Sequence, residues 1–175
     1  MRIDVAIDSI IPDNTAFTVL TSLHHLGYTE LTKVERSEHI LLKVLDGTRA
    51  DKIASELSHA EVIFNPNKHR LSYAAENAPD VEPAQFEALV RDRDENNRPL
   101  QDLLVTTFGM TALLGLERAT GWRLYEAKGS AAHDRLEWAC AALLCNPVSQ
   151  RFEIRRRPVS LQVGEPAASA AKSGK

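Results

Sequence analysis

The chain lacks the features that mark most simple functional classes. It has two cysteines in 175 residues, too few for a disulfide scaffold. Both fall in one predicted helix, five positions apart, as Cys140 and Cys145. That spacing points them to different sides of a helix and argues against a bond between them. A reducing, cytoplasmic setting fits this usage. No apolar run approaches the ~20 residues that a membrane helix needs. The opening Met1-Arg2-Ile3-Asp4-Val5-Ala6-Ile7-Asp8 has neither the apolar stretch nor the cleavage site of a signal peptide. The net charge of −3 gives no strong pull toward nucleic acid or a membrane surface.

Catalytic and ligand motifs are missing too. No serine sits in a Gly-x-Ser-x-Gly elbow. Gly109, Gly115 and Gly121 are too widely spaced for a dinucleotide loop, and Ser173-Gly174-Lys175 has no upstream glycine or strand to make a phosphate loop. His24 and His25 are helix neighbours pointing ~100° apart, so they cannot chelate one metal together. His39, His59, His69 and His133 show no ligand spacing with carboxylate or cysteine. The expectation is a protein without a catalytic cluster, metal site or cofactor.

What is present is an ordinary globular composition, 43% apolar and 26% charged. Residues 2–8 alternate as a half-buried strand. A helix is predicted over 13–26, started by Pro12-Asp13 and stopped by Gly27, with Ala16, Val19, Leu20, Leu23 and Leu26 on one stripe. A hairpin is predicted with arms 31–36 and 39–45. A second helix follows over 48–58, with Thr48 and Asp51 at capping-box spacing. A turn at Asn65-Pro66-Asn67 precedes a strand through Leu71 and Tyr73. Residues 76–99 read as a linker with a helix over 83–91. Beyond it are a strand at 103–108, a short helix at 111–119, a strand at 122–127, a helix at 130–144 and a strand at 151–157. Residues 164–175 are Ala, Ser, Gly, Pro and Lys, the composition of a disordered tail.

The two halves echo each other. Phe64-Asn65-Pro66 and Cys145-Asn146-Pro147 each follow a helix end and precede a strand, and Arg70 falls on Arg151 at the same offset of 81. Upstream, Gly27-Tyr28 pairs with Gly121-Trp122, which leaves the second half short of part of the hairpin. The expected fold class is α+β: two ferredoxin-like βαββαβ-type repeats over 1–75 and 100–163, the second degenerate, with helices packed on antiparallel sheet.

The segment Trp138-Ala139-Cys140-Ala141-Ala142-Leu143-Leu144-Cys145-Asn146-Pro147-Val148, with the strand through Phe152-Glu153-Ile154, resembles the end of the PurS family. That family is the small subunit of phosphoribosylformylglycinamidine synthase. The alternating first strand, the helix ending Leu26-Gly27-Tyr28 and the strand ending Val34-Glu35-Arg36 follow the family's order. The Gly-Lys pair expected after Arg36 is replaced by Ser37-Glu38. Ordinary members are about one repeat long, so the resemblance implies a divergent tandem or fused version. It also implies a non-catalytic assembly role in de novo purine biosynthesis, bridging a glutaminase subunit and a synthetase subunit. Two repeats in one chain could replace a homodimer of single repeats, and homo-oligomers of this chain are also open. The alternative is a ferredoxin-like regulatory module that binds a small metabolite between its halves.

Interface candidates follow from pattern. On helix 130–144, Leu136, Ala139, Cys140 and Leu143 form one apolar stripe. Ala131, Trp138, Ala142 and Cys145 form another, nearly opposite. The second stripe predicts docking, with Trp138, Ala142 and Cys145 at the interface. Alternation along the last strand puts Arg151, Arg155 and Arg157 on one face, a basic patch for an acidic partner or a phosphate.

Overall fold

The computed structural model describes residues 1–163, so the expected disordered tail lies outside the described residues. The fold is α+β: one antiparallel sheet and four α-helices among the described residues. The order strand, helix, strand, helix, strand occurs twice. First come β1 (Arg2–Ser9), α1 (Asn14–His25), β2 (Leu31–Val44), α2 (Ala50–Ser58) and β3 (His69–Ala75). Then come β4 (Phe86–Asp92), α3 (Arg98–Thr106), β5 (Leu113–Glu126), α4 (His133–Ala139) and β7 (Gln150–Arg156). Two short strands, β6 (Gly129–Ser130) and β8 (Leu161–Gln162), complete the sheet, whose order is β7-β4-β5-β2-β1-β3-β8 with β6 beside β5.

The hairpin expected at 31–45 is one strand. Ser37 and Glu38 continue the ladder, opposite Gly121 and Thr120 of β5, so no turn forms between the apolar arms. A register shift after Leu31 brings that residue to the same buried side as Val34. The predicted helix at 111–119 and strand at 122–127 likewise merge into β5, equal in length to β2. Together β2 and β5 form the centre of the sheet.

Residues 76–99 are not simply a linker. The helix expected at 83–91 is replaced by β4, a strand between β5 and β7. Its residues Glu87, Ala88, Leu89 and Val90 are all buried, because both faces of the sheet are covered there. Burial on both faces erases the alternation that identifies a strand. The strand expected at 103–108 lies mostly within α3, where Pro99 sits in the first turn and Leu104 is buried at helical spacing from Leu100. The capping box at Thr48 does not form. The helix is capped at Arg49, whose side chain turns to Asp51.

All four helices cover one face of the sheet, in two cores that mix the halves. Leu57 and Ile53 of α2 join Leu104 of α3 over β1 and β3. Leu23 of α1 joins Leu136 and Ala139 of α4 over Ala88 and Val90 of β4. Neither core is built from one half alone.

The other face curls inward. Only residues 157–160 join β7 to β8, at opposite ends of the strand order. An extended chain gains about 3.5 Å per residue, so this link spans at most about 18 Å. Six strand intervals of a flat sheet would need roughly 29 Å. Curvature closes the gap, and residues 157–159 also bond to the chain entering β4, Val81 N–H to Arg157 C=O at 2.9 Å and Val159 N–H to Pro79 C=O at 2.7 Å.

One turn is built twice. Asn65 Oδ1 accepts from Asn67 N–H at 3.0 Å, and the Asn65 N–H donates to His69 Nδ1 at 3.3 Å. Asn146 Oδ1 accepts from Val148 N–H at 3.0 Å, and the Asn146 N–H donates to Gln150 Oε1 at 2.9 Å. The upstream pairing differs from expectation. Gly27, at φ 100°, lies two residues beyond α1, and Gly109, at φ 70°, lies three residues beyond α3. Tyr28 and Met110, next in each case, are buried. Gly121 and Trp122 lie inside β5, so they do not follow a helix as Gly27-Tyr28 do.

Candidate functional site

The predicted docking helix changes pitch midway. After α4, Cys140–Leu144 form a π-helical turn closed by Cys145 N–H to Cys140 C=O at 3.0 Å. The wider turn shifts the helical phase by about one residue. Leu144 is buried where Leu143 was expected, and Leu143 is 40% exposed. Cys140 and Cys145, expected on different sides, both enter the same core as free thiols. Burial, with Cys145 and Glu137 nearby, pushes the Cys140 thiol up to about 12, so neutral pH leaves it protonated and inert.

Of the second stripe, Ala131 and Cys145 are buried, while Ala142 is exposed and Trp138 is 41% exposed. Trp138 leans edge-on against Tyr28, with ring centres 5.9 Å apart. Tyr28 anchors this contact, since its hydroxyl donates to Glu126 at 2.7 Å and Arg135 lies over its ring. Trp138, Leu143 and Val148, the last 86% exposed, are the large apolar side chains exposed in this segment.

The three arginines of the last strand have different surroundings. Arg151 is exposed. Arg155 reaches across the concave face to Asp4, and its guanidinium also donates to Glu87 at 2.7 and 2.9 Å. Arg157, just beyond β7, is half-buried and donates to Gln85 at 3.2 Å.

Sequence reasoning did not anticipate the polar interior of the curled sheet. Asp4 of β1, Ser37 and His39 of β2 and Glu87 of β4 lie on three separate stretches of chain, and only the strand register brings them together. His39 is 3% exposed; its Nδ1 lies 2.8 Å from Asp4 Oδ1, and its Nε2 lies 3.0 Å from Ser37 Oγ. An ionised carboxylate only accepts, so Nδ1 carries the hydrogen and Nε2 faces the serine hydroxyl. Burial pushes the Asp4 carboxyl up, but His39 and Arg155 outweigh it and hold the group below the usual carboxylate range. On Arg155, burial opposes the charge and the Asp4 and Glu87 carboxylates more than restore it.

The Asp–His–Ser order has the connectivity of a nucleophilic triad, yet the surroundings are wrong for one. A Cβ on Gly121 would lie 2.5 Å from His39 Nε2 and 2.8 Å from Ser37 Oγ, so backbone already fills the space a substrate carbonyl needs. Ser37 is 2% exposed. The chain Asp4–His39–Ser37 is a buried hydrogen-bond network that ties β1 to β2.

The network separates two open cavities. One, about 590 Å³, lies at the end of the sheet formed by the start of β1 and the end of β2, and its cationic and anionic side chains are equal in number. The other, about 610 Å³, lies at the opposite strand ends and carries two more cationic than anionic side chains. No group of His, Cys, Asp and Glu suited to a metal ion occurs among the described residues, and no described helix is long and apolar enough to cross a membrane. No family model matches the chain, and no curated protein matches it.

Proposed function

We propose that the chain is a cytoplasmic, non-catalytic assembly subunit of the PurS type, a tandem version in which two repeats replace a pair of single-repeat chains. It bridges a glutaminase and a synthetase subunit in de novo purine biosynthesis. The observation that carries this reading is the doubled order of strand, helix, strand, helix, strand, joined through the antiparallel pair β2 and β5. Independent folding units paired through their sheets would meet along such a seam. The matching Asn-Pro turns before β3 and β7 support duplication, because each repeats both a side-chain acceptor and a side-chain partner for the asparagine N–H. The mixed cores support a fused pair, since helices of each half complete the other's core.

An assembly subunit also needs an outward apolar surface. Trp138 of α4, with Leu143 and Val148 beyond it, supplies exposed apolar groups for one. Trp is enriched at interface hot spots, and the Tyr28 contact holds this one in place before a partner arrives.

The test is affinity purification of the tagged chain from its native cell. The expected result is retention of a glutaminase and a large synthetase, with both lost from Trp138→Ala while circular dichroism is unchanged. A wild-type chain that retains neither partner would overturn the reading.

A further inference from the structure

The cavity at the basic end of the sheet contains polar groups that the fold leaves unused. Arg70, exposed at the start of β3, has no carboxylate within ion-pair distance among the described residues. Neither has Arg157, whose one side-chain partner is the neutral Gln85. This contrasts with the other basic groups there. Arg36 is paired with Asp13 at 2.8 Å, Lys33 with Glu35, and Arg123 with Asp8 at 2.6 Å.

Two buried groups point the same way. Ser72 is 4% exposed, and its hydroxyl bonds to no other described residue. Arg123 is buried, and its Nε has no hydrogen-bond acceptor. Glu35 lies 3.3 Å from that nitrogen, close enough for charge attraction but off the line of the N–H. A folded protein seldom leaves a buried donor such as this Nε idle without a ligand or water to take it.

We propose that this cavity binds a small phosphate-bearing anion, with the phosphate held between Arg70 and Arg157 beside the Ser72 hydroxyl. Two guanidinium forks and a hydroxyl match the several acceptor oxygens of a tetrahedral phosphate better than the two of a carboxylate. The cavity volume is within the range of small-molecule sites. Phe17 and Leu20 of α1 border the same cavity and offer an apolar wall to the rest of an ester. The site joins β3 and β5 with the segment after β7, so an occupied site would brace the two halves. This goes beyond the assembly role and stands or falls without it.

Isothermal titration calorimetry of the full chain with inorganic phosphate, glycerol 3-phosphate and acetate tests the site. Saturable binding of either phosphate probe is expected, with acetate at least about tenfold weaker. Arg70→Gln and Arg157→Gln should each weaken phosphate binding about tenfold or more. Arg151→Gln, outside the cavity, should not change it. Tighter binding of the ester than of free phosphate supports an ester site, and equal binding supports a phosphate site. The proposal is overturned by absent saturation, by acetate binding equally well, or by unchanged affinity in Arg70→Gln with native circular dichroism.

Discussion

The two faces of the sheet are buried by different means. The outer face is covered by helices, and its occupants are Ile3, Val5, Leu42, Leu71 and Val90, apolar groups that need no partner. The inner face is buried by its own curvature and holds Asp4, Ser37, His39 and Glu87. Curvature excludes water without a covering layer of helices, so a polar group buried there is stabilised only by a partner on the same face. The outer face therefore supplies stability, and the inner face sets how tightly the sheet curls and which strands face each other.

Mutation should separate these two roles. The largest loss is expected on the outer face. Leu57, fully buried on the inward side of α2, belongs to the larger apolar core, so Leu57→Ala leaves a cavity and should cost about 3–4 kcal/mol in urea denaturation. Because the core it enters contains residues of both halves, the transition should stay a single step, with one midpoint by tryptophan fluorescence and by circular dichroism. Two separated transitions would contradict the mixed cores.

On the inner face, Arg155→Met should cost about 2–3 kcal/mol, because it strands Asp4 and Glu87 together without their cation. The figure sits at the low side because Arg155 is a quarter exposed and water screens part of the charge. The same cluster sets an acid limit. The Asp4 carboxyl is held below its unfolded value of 3.8, so its contribution is fully present above that value and is lost as pH falls through the lower, folded one. Stability measured from pH 6 down to pH 2 should fall along this limb, and Asp4→Asn should flatten it. A wild-type profile level through this range would sever the link between the network and folding.

The contrast between faces also explains what the sequence made legible. Elements with one polar side were readable: β1, α1 and α2 show an apolar period on their buried side, and Asp13 caps α1 as its position predicts, accepting from Thr15 and Ala16 N–H. Elements covered on both sides were not. In β4, Glu87 and Leu89 are as buried as Ala88 and Val90, so its sequence carries neither a strand period nor a helix period. In β2 the polar pair Ser37-Glu38 imitates a turn, although Ser37 is polar because it bonds to His39 inside the curl. The π-helical turn was unreadable for another reason: one extra residue per turn changes which of Leu143 and Leu144 is buried, and no local composition announces it. The interior cluster depends on register between distant strands, which adjacent residues do not encode. The repeated Asn-Pro turn was legible because its hydrogen bonds are local.

The smallest and most diagnostic change is Gly121→Ala. Gly121 has no special backbone angle, so the reason for glycine here is space: the new methyl would overlap His39 Nε2 and Ser37 Oγ. Both are held at their other contacts, His39 by Asp4 and each by the other, so relief requires the strands β2 and β5 to part slightly. The expected cost is about 1–2 kcal/mol, typical of overpacking. Ser37→Ala alone removes one contact and leaves His39 in place. Combined with Gly121→Ala it should recover part of the loss, because the two positions share one space. Additive losses in the double variant would mean that Ser37 is not what Gly121 makes room for. The polar chain would then have to be held by something other than the close approach of the two central strands.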